Sequence, residues 1–387
     1  MVETPPRKGF IVNETYRKLF EPVTLGNGVT LDNRLAMAPM LVFASHEDGS
    51  IAKDDFDYFT LRNDTGALII TGAAAVSEEG LGIISQLTVY DDAKVPGLTE
   101  LAAIIKAKGN RAILQLHHAG REAYGAHELY GKVLAPSAIA FPFLPYVPEE
   151  LTHDQILGII DDYAQATRRA IEAGFDGVEI HGANHYLLQQ FFSAYSNTRS
   201  DQWGGSFDKR MAFPLAVLEA VLTAAGQAGP EFIVGYRISP EEVHGDNVGY
   251  TVDDAVQLIS KVIDGGAHYI HVSTANYKVT PTTDNRNEPL AATIHSGIAG
   301  RVPMLLAGNI LNPDDALDAL NYTDIVALGR AVLIDPDFVP KLRAGQPELI
   351  ETSVAGRLDK LALSKRLIGF WLIEGTPLAP LKGLTDK

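Results

Sequence analysis

Short apolar segments of strand length recur along the whole chain. Eight can be marked, at residues 34–37, 67–71, 111–116, 177–180, 232–238, 269–273, 304–307 and 325–328. Each is apolar throughout or nearly so, which is typical of parallel strands buried on both faces and not of a sheet with one solvated face. The pattern therefore predicts eight buried strands in parallel pairing.

Helical patterns lie between several of these strands, at residues 98–108, 152–173, 209–225, 251–265, 313–320 and 337–344. Thr152 and Gln155 have the spacing of a capping box, and the segments EAGFDGV and DGGAHYI end helices at glycine just before a strand. The alternation predicts an α/β fold, a (β/α)8 TIM barrel at about 33–345. A doubly wound open sheet remains the alternative, although no G-x-G-x-x-G follows the first strand.

Three segments lie outside this alternation. Residues 22–32 place Asn27-Gly28 between β-prone residues and predict a small hairpin. Residues 124–150, rich in Pro, Phe and Tyr, are interpreted as an irregular stretch, either a lid or a passive surface excursion. Residues 346–387, with Phe370 and Trp371, are expected to cover the site of their own chain or of a partner subunit. Residues 1–387 are therefore interpreted as one domain.

Composition and charge exclude several classes of protein. The 387 residues are 46% hydrophobic and 21% charged, as in a folded protein with a large core. The net charge of −16 repels phosphate backbones and anionic membranes, so we expect neither nucleic acid nor membrane as a partner. The absence of cysteine excludes disulfides, thiolate catalysis and cysteine-ligated iron–sulfur clusters, and we expect no metal.

The N-terminal residues carry no signal-like apolar run, and no segment approaches the roughly 20 apolar residues of a membrane span. We therefore expect a cytoplasmic protein. Its oligomeric state is open, and a homo-oligomer is possible.

Active sites of such barrels lie at the carboxyl ends of the strands, where this chain carries polar groups. Gln115, His117 and His118 end the third strand, and Arg237 lies in the fifth. After the last two strands stand Gly308-Asn309 and Gly329-Arg330, which offer main-chain N–H groups and a guanidinium to a phosphate. The alternative is that these glycines only make tight turns and that Arg330 pairs with a carboxylate.

The fourth strand ends in His181, Asn184 and Tyr186. Histidine and asparagine can both donate hydrogen bonds to an oxygen on which negative charge grows, and a tyrosine phenol can protonate a basic carbanion. The alternative is a capped helix start with a tyrosine packed into the loop.

At these residues the chain resembles the old yellow enzyme family of FMN-containing oxidoreductases. The resemblance rests on NRLAMAPM (33–40), ILQLHHAGR (113–121), GFDGVEIHGANHYLLQQFFSAYSNTRSDQWGGS (174–206), Arg237 and DIVALGRAVLIDPDF (324–338). These segments cover nearly the whole barrel in the family's order. The 174–206 segment is the most specific, because barrel packing does not demand its polar residues.

The resemblance implies a role for each matching position. The residues implied to contact FMN are Ala38, Pro39, Met40, Leu41, Ala73, Gln115, His181, Arg237, Gly308, Asn309, Gly329 and Arg330. Among them Gln115 is implied to bind the pyrimidine edge, and the last four the phosphate. His181 and Asn184 are implied to hold the substrate oxygen, and Tyr186 to donate the proton. The implied reaction takes hydride from NADH or NADPH through bound FMN to the β-carbon of an activated alkene.

Two positions depart from the family pattern. Leu41 stands where the family often has Thr or Cys bonded to the flavin, and Phe43 stands where one branch places a substrate-contacting tyrosine. We expect an altered flavin potential and a more apolar substrate pocket. Longer relatives add an iron–sulfur domain; the length and the missing cysteines of this chain indicate electrons taken directly from a soluble donor.

Three functions remain open from the sequence. The first is the reduction of an enone or a related alkene. The second is an NAD(P)H-dependent flavin oxidoreductase whose acceptor is a quinone, a flavin, a nitro compound or oxygen. The third is a barrel without flavin that binds a phosphorylated ligand, as a lyase or as a binding protein.

Overall fold

The computed structural model describes residues 13–376 and 378–385. Residues 1–12, 377 and 386–387 lie outside the described residues. They include much of the N-terminal segment in which we expect no signal peptide, and parts of the expected C-terminal cover.

Among the described residues, the central sheet has nine strands, and eight of them close the barrel. In chain order, the strands of the described residues are β1 (Val23–Thr24), β2 (Thr30–Leu31), β3 (Leu35–Met37), β4 (Leu68–Ile70), β5 (Ala74–Ala75), β6 (Arg111–His117), β7 (Leu134–Ala135), β8 (Glu149–Glu150), β9 (Gly177–Gly182), β10 (Ile233–Ile238), β11 (Glu242–His244), β12 (Asn247–Tyr250), β13 (Tyr269–Ser273), β14 (Met304–Ala307) and β15 (Ile325–Leu328). The eight predicted strands correspond to β3, β4, β6, β9, β10, β13, β14 and β15.

These eight strands pair in parallel, in the order β3-β4-β6-β9-β10-β13-β14-β15. The ring closes because β15 pairs with β3, with Val326 opposite Leu35. The predicted (β/α)8 barrel is therefore confirmed, and the open sheet is excluded. The strands are buried on both faces, which explains their nearly continuous apolar sequences.

Helices surround this ring. They are α1 (Lys53–Leu61), α2 (Val95–Lys106), α3 (Tyr124–Tyr130), α4 (His153–Glu172), α5 (Leu187–Phe192), α6 (Phe207–Ala225), α7 (Val252–Asp264), α8 (Leu290–Ile298), α9 (Pro313–Ala319), α10 (Arg330–Ile334), α11 (Phe338–Arg343) and α12 (Lys365–Trp371). The six predicted helices correspond to α2, α4, α6, α7, α9 and α11. The capping box of α4 is present, with the Thr152 side chain accepting from Gln155 N–H.

The interpretation of residues 124–150 as irregular was wrong in part. This stretch contains α3 and the two short strands β7 and β8, which pair in parallel. Tyr146 connects this stretch to the segment after β6, because its hydroxyl donates to the main-chain oxygen of Arg121 at 3.0 Å; its ring stacks on His127 within the stretch.

The predicted hairpin is formed by β1 and β2, which are antiparallel. Its apolar side chains Leu25, Val29 and Leu31 pack against interior barrel residues such as Leu68 and Ile325. Gly26 N–H also donates to the main-chain oxygen of His268 at 2.9 Å, at the start of β13. The hairpin thus closes the amino-terminal end of the barrel with an apolar plug and leaves the carboxyl end for a ligand.

One helical segment of the described residues, Phe207–Ala228, is long and apolar enough by composition to cross a membrane. It contains α6, whose residues Phe213, Val217 and Val221 are buried in the barrel core. Its apolar sequence is explained by this packing.

Candidate active site

A cavity of about 740 Å³ lies at the carboxyl ends of the barrel strands. Every residue to which the sequence assigned a site role lines it: Ala38, Pro39, Met40, Leu41, Phe43, Ala73, Gln115, His181, Asn184, Tyr186, Arg237, Gly308, Asn309, Gly329 and Arg330. Its volume lies in the range of pockets for small ligands and cofactors. The barrel therefore brings together residues that are up to about 290 positions apart in the chain.

Beneath the cavity, on β9, lies a buried carboxylate, Glu179, which contacts the cavity-lining residue Gln115. It accepts hydrogen bonds from Gln115 Nε2 at 2.7 Å, from the Tyr269 hydroxyl at 3.0 Å and from His271 Nδ1 at 2.9 Å. Burial alone would raise the pKa of Glu179, but His271, Arg237 and Gln115 outweigh burial, so the pKa lies below its ordinary value. The carboxyl is therefore ionised at neutral pH.

Arg237, on β10, brings a positive charge to the same region. Its Nη2 donates to Ser273 Oγ at 2.9 Å, while its Nε is buried and has no hydrogen-bond partner among the described residues. Burial lowers the pKa of Arg237, and the charge of Glu179 opposes this shift. Since arginine stays protonated in proteins and Arg237 lines the cavity, its positive charge lies next to the ligand space.

His181 has a defined tautomer. Its Nδ1 accepts from the Ala183 N–H at 3.3 Å, so the ring proton is on Nε2. Burial, with the nearby charge of Arg237, holds the pKa of His181 well below its ordinary value. The residue is therefore a neutral imidazole with one hydrogen-bond donor left for a ligand.

Asn184 and His185 follow in a strained turn. Both have left-handed backbone conformations, with φ of 56° and 66°. Such conformations are disfavoured for residues other than glycine and persist where neighbouring contacts enforce them. Here Asn184 N–H donates to Ser239 Oγ at 2.9 Å, and His185 N–H donates to Gln189 Oε1 at 3.0 Å.

The Asn184 side chain lies beside Ser273, with Oδ1 at 3.5 Å and Nδ2 at 3.4 Å from Ser273 Oγ. Because Arg237 donates to this same Oγ, the hydroxyl hydrogen of Ser273 is available to Asn184 Oδ1. Asn184 lines the cavity, and its Nδ2 group has two hydrogens that can be donated.

Tyr186 stands between two histidines. Its ring centre lies 4.3 Å from that of His117 and 5.1 Å from that of His181, edge-on to both. Burial, and then the negative charge of Glu122, raise the pKa of Tyr186 above its ordinary value. The phenol is therefore protonated at neutral pH and suited to donate a proton to a strong base.

At the other end of the cavity, Arg330 donates to Asn309 Oδ1 and to the main-chain oxygen of Pro380 at 2.7 Å. It forms no ion pair with a carboxylate within residues 13–376 and 378–385, contrary to the alternative that the sequence left open. A Cβ atom added at Gly329 would meet only Met40 Sδ, at 3.8 Å. The strand end is thus open toward the cavity, as a phosphate requires.

The C-terminal segment covers the cavity of its own chain. Leu367, Phe370 and Trp371 of α12 line the cavity, and Trp371 Nε1 donates to the main-chain oxygen of Ala379 at 3.0 Å. The Phe370 ring lies 5.2 Å from Phe43. Phe43 and Leu41 therefore contribute apolar surface, without the polar side chains that the family often has there.

Several residues to which the sequence assigned no role also line the cavity. They are Ser273, His117, Glu122, His185 and, in the 124–150 stretch, Tyr124. His117 is buried, and burial together with His118 lowers its pKa to about 3. Its alternation with Gln115 along β6 is the signal that could have marked it as facing inward.

A second buried carboxylate, Glu242 on β11, lies behind His185. His185, Glu242 and His244 each offer one atom that could ligate a metal ion, and these three atoms lie within 4.8 Å of one another. Here the Gln189 amide donates to Glu242 at 2.7 Å and contacts His185 Nδ1 at 3.3 Å, and Ser193 Oγ donates to Glu242 at 2.8 Å. His244 Nε2 lies 3.5 Å from Glu242 Oε1 and is buried without a hydrogen-bond partner among the described residues.

The residues present fit FMN, the cofactor that the family resemblance implies. The Arg237 guanidinium and the Gln115 amide offer polar groups to the cavity, small residues such as Ala38 and Ala73 leave space beside them, and the open Gly329 lies at the phosphate end. The cavity thus has a polar side, apolar walls and a cationic end.

Comparisons with known proteins agree with this geometry. The model of a family described as NADH:flavin oxidoreductase / NADH oxidase matches residues 18–348. The probable NADH-dependent flavin oxidoreductase YqiG of Bacillus subtilis (strain 168) is 40% identical over 349 residues, which is 89% of this chain and 93% of the relative. The NADH:fumarate oxidoreductase of Klebsiella pneumoniae (strain 342) is 38% identical over 92% of this chain, but only 39% of that longer protein is covered.

Solved structures are similar as well. Morphinone reductase in complex with tetrahydroNAD superposes with a TM-score of 0.72 at 30% identity, over 85% of this chain and 91% of that one. The old yellow enzyme homologue from Zymomonas mobilis gives a TM-score of 0.72 at 27% identity, over 84% and 92%. Both matches cover most of the barrel.

Proposed function

The chain belongs to the NADH:flavin oxidoreductase / NADH oxidase family, which includes the old yellow enzymes, and on this premise we propose that it is an FMN-dependent ene-reductase. Its substrates are alkenes activated by a carbonyl group, and its hydride comes from NADH or NADPH. FMN, when bound, supplies the hydride transfer between the two substrates. The residues of the chain supply orientation, charge stabilisation and the proton.

The observation that carries the proposal is the convergence of three hydrogen-bond donors on one side of the cavity. They are His181 Nε2–H, the Asn184 amide and the Tyr186 phenol, and all three residues line the same space. Two neutral donors aimed at a carbonyl oxygen polarise the conjugated alkene and stabilise the negative charge that grows on that oxygen. A neutral His181 does so without transferring its proton.

Tyr186 has the role of proton donor in this proposal. Its phenol is protonated at neutral pH, as an ordinary tyrosine is, and burial raises its pKa further; the ring lies next to that of His181. A carbanion that forms next to a carbonyl is basic enough to take a proton from a phenol. Hydride addition at the β-carbon would generate this carbanion, and the Tyr186 proton would then add at the α-carbon, which leaves a saturated product.

The phosphate end and the cover complete the proposed site. Arg330, with Gly308, Asn309 and Gly329, holds the FMN phosphate, and Gln115 and Arg237 contact the polar edge of the ring. Leu367, Phe370 and Trp371 exclude water from the reacting atoms. No separate dinucleotide-binding domain is needed if both substrates use the same cavity in turn.

The names of two relatives support an alkene as substrate. NADH:fumarate oxidoreductase and NADH:acrylate oxidoreductase are both 38% identical to this chain. Fumarate and acrylate are alkenes conjugated to carboxylates. This chain spans only 39% and 33% of those proteins, so their activities bear on the chemistry of the class and not on the exact substrate.

The test separates the two half-reactions in the FMN-loaded protein. Tyr186→Phe keeps the ring and its packing but removes the acidic hydrogen. We expect reduction by NADH or NADPH to keep its rate, and oxidation by an enone to slow by about 10²–10⁴-fold, the range of general acid catalysis. Rapid-mixing absorbance of the flavin measures both; equal slowing of both half-reactions would contradict the assigned role.

A second candidate is an NAD(P)H-dependent oxidoreductase whose physiological acceptor is a free flavin, a quinone, a nitro compound or oxygen. The names of two relatives, a probable NADH-dependent flavin oxidoreductase and an NADH oxidase, favour it. In this case Tyr186→Phe leaves reoxidation by the best acceptor unchanged. Comparing the reoxidation rates of the reduced protein with enones, quinones and oxygen distinguishes the two candidates.

A further inference from the structure

The carboxylate of Glu179 lies one layer of side chains below the row that contains His181 and Arg237. Strand register puts Gln115 opposite Glu179, and Gly235 opposite both Glu179 and Tyr269. These four residues form one row across β6, β9, β10 and β13. The row above it contains His181, Arg237 and His271, which are also paired in register.

The lower row is built around this carboxylate. A Cβ atom at Gly235 would lie 2.0 Å from the Tyr269 ring, so the ring reaches Glu179 only because residue 235 is glycine. Glu179, Tyr269 and His271 have side chains with no exposed surface. Because barrel interiors are filled by layers of side chains, a charged residue in such a layer requires dedicated partners.

The charge state of Glu179 follows from its partners. Three donors converge on it, from Gln115, Tyr269 and His271, and a carboxyl that accepts three hydrogen bonds is ionised. Burial lowers the pKa of His271, so its ring is neutral. Its single N–H, on Nδ1, donates a hydrogen bond to Glu179. Arg237, on the neighbouring strand, adds a positive charge that also lowers the pKa of Glu179.

Glu179 also fixes the Gln115 amide. An amide has one donating and one accepting end, and here Nε2 donates to Glu179 Oε1 at 2.7 Å. The carbonyl oxygen of Gln115 is left for the cavity, which Gln115 lines. It can accept from a ligand N–H, such as the N3–H on the pyrimidine ring of FMN.

We propose that Glu179 is a positioning residue for the flavin: it turns the Gln115 amide so that its oxygen meets the ring N3–H, and its charge lowers the reduction potential of the bound flavin. The inference rests on the proposed function, since it presupposes FMN in the cavity. Arg237 stabilises the negative charge of the reduced ring, and Glu179 partly offsets that stabilisation. The balance between these two charges sets how strongly the reduced flavin gives up hydride.

The test measures the midpoint potential of the FMN-loaded protein. Glu179→Gln keeps the shape and removes the charge, and we expect a shift to a more positive potential. Tyr269→Phe keeps the charge but removes one hydrogen bond that disperses it, and we expect a shift in the opposite direction, to a more negative potential. Opposite signs from two adjacent substitutions are not produced by general loosening of the barrel.

Glu242→Gln is the matched control. Like Glu179, Glu242 has a fully buried carboxylate, and it accepts hydrogen bonds from a glutamine and a serine. It lies outside the lower row, which contains Gln115, Glu179, Gly235 and Tyr269. Its substitution is expected to destabilise the protein and to leave the midpoint potential unchanged. An equal positive shift in Glu242→Gln and Glu179→Gln would overturn the proposal.

The outcomes separate this inference from the proposed function. Failure of the wild-type protein to bind FMN would refute the proposed function itself. FMN binding with an unchanged or lower potential in Glu179→Gln would refute only the role of Glu179. If Glu179→Gln does not fold or hold FMN, Tyr269→Phe decides: a lower potential supports the role, and an unchanged or higher potential overturns it.

Discussion

The two ends of the barrel are built from opposite kinds of residues. At the amino-terminal end Leu25, Val29 and Leu31 of the hairpin close the interior with apolar contacts. At the carboxyl end Arg237 Nε and His117 Nδ1 are buried without hydrogen-bond partners among the described residues. A buried unpaired polar atom costs about 1–3 kcal/mol. Such atoms also occur elsewhere, as at Arg34 Nε just before β3, but these two belong to residues that line the cavity. The first end stabilises the fold, and the second carries the chemistry.

Low pH is expected to destabilise the protein mainly through the carboxyl end of the barrel. Burial lowers the pKa of His118 to about 3, far below the 6.5 of an exposed histidine. Between about pH 3 and pH 6.5 the His118 imidazole is protonated in the unfolded chain but not in the folded chain, so the unfolding free energy decreases as the pH falls below 6.5. His118→Gln should flatten the slope of unfolding free energy against pH by about 1.4 kcal/mol per pH unit between pH 4 and 6. Urea unfolding at a series of pH values measures this slope, and an unchanged slope would mean that His118 titrates normally.

Truncation of the apolar plug should lower stability equally at every pH. Leu31 is 2% exposed and packs inside the barrel mouth. Leu31→Ala is expected to reduce the unfolding free energy by about 2–5 kcal/mol, because it removes buried methyl groups and leaves a cavity. The same urea series measures it. If the decrease in unfolding free energy varied with pH, or if the ligand affinity of the folded protein changed, the two ends of the barrel would not act separately.

Removal of one donor at the polar end should affect binding and not stability. Asn184→Gly removes the amide and tolerates the left-handed φ of 56°, so backbone strain does not increase. A phenol is expected to bind the FMN-loaded protein more weakly by about 1–3 kcal/mol. Spectroscopic titration checks this value, and His181→Gln should weaken binding in the same direction. Wild-type affinity in both variants would remove this pair from the oxygen-binding role.

The smallest expected effect concerns the flavin side of the cavity wall. Leu41 lines the cavity and offers no hydrogen bond to the ring. Leu41→Thr introduces a hydroxyl near the proposed flavin position and should shift its midpoint potential measurably, with Leu41→Val as the apolar control. The account of this departure from the family pattern does not hold if the potentials of Thr and Val variants coincide.

The barrel was predictable because its strands are buried on both faces and read as uninterrupted apolar runs. Helix α1 was not predicted because its sequence, KDDFDYFTL, is largely polar. Helix α3 was not predicted because it is short and lies in the segment 124–150, which is rich in aromatic residues. The site residues identified from motifs all line one cavity. Glu179 was part of a quoted motif, yet its role depends on strand register and on the missing side chain of Gly235, which a linear sequence does not display.

The most direct test of the account is the visible absorption spectrum of the purified protein, with and without a phenol. We predict that the protein holds or takes up FMN, and that a phenol held by His181 and Asn184 against the flavin produces a long-wavelength charge-transfer band, which Asn184→Gly weakens. A protein that neither contains nor binds FMN, or a flavin spectrum that a phenol leaves unchanged, would contradict the assignment of this cavity.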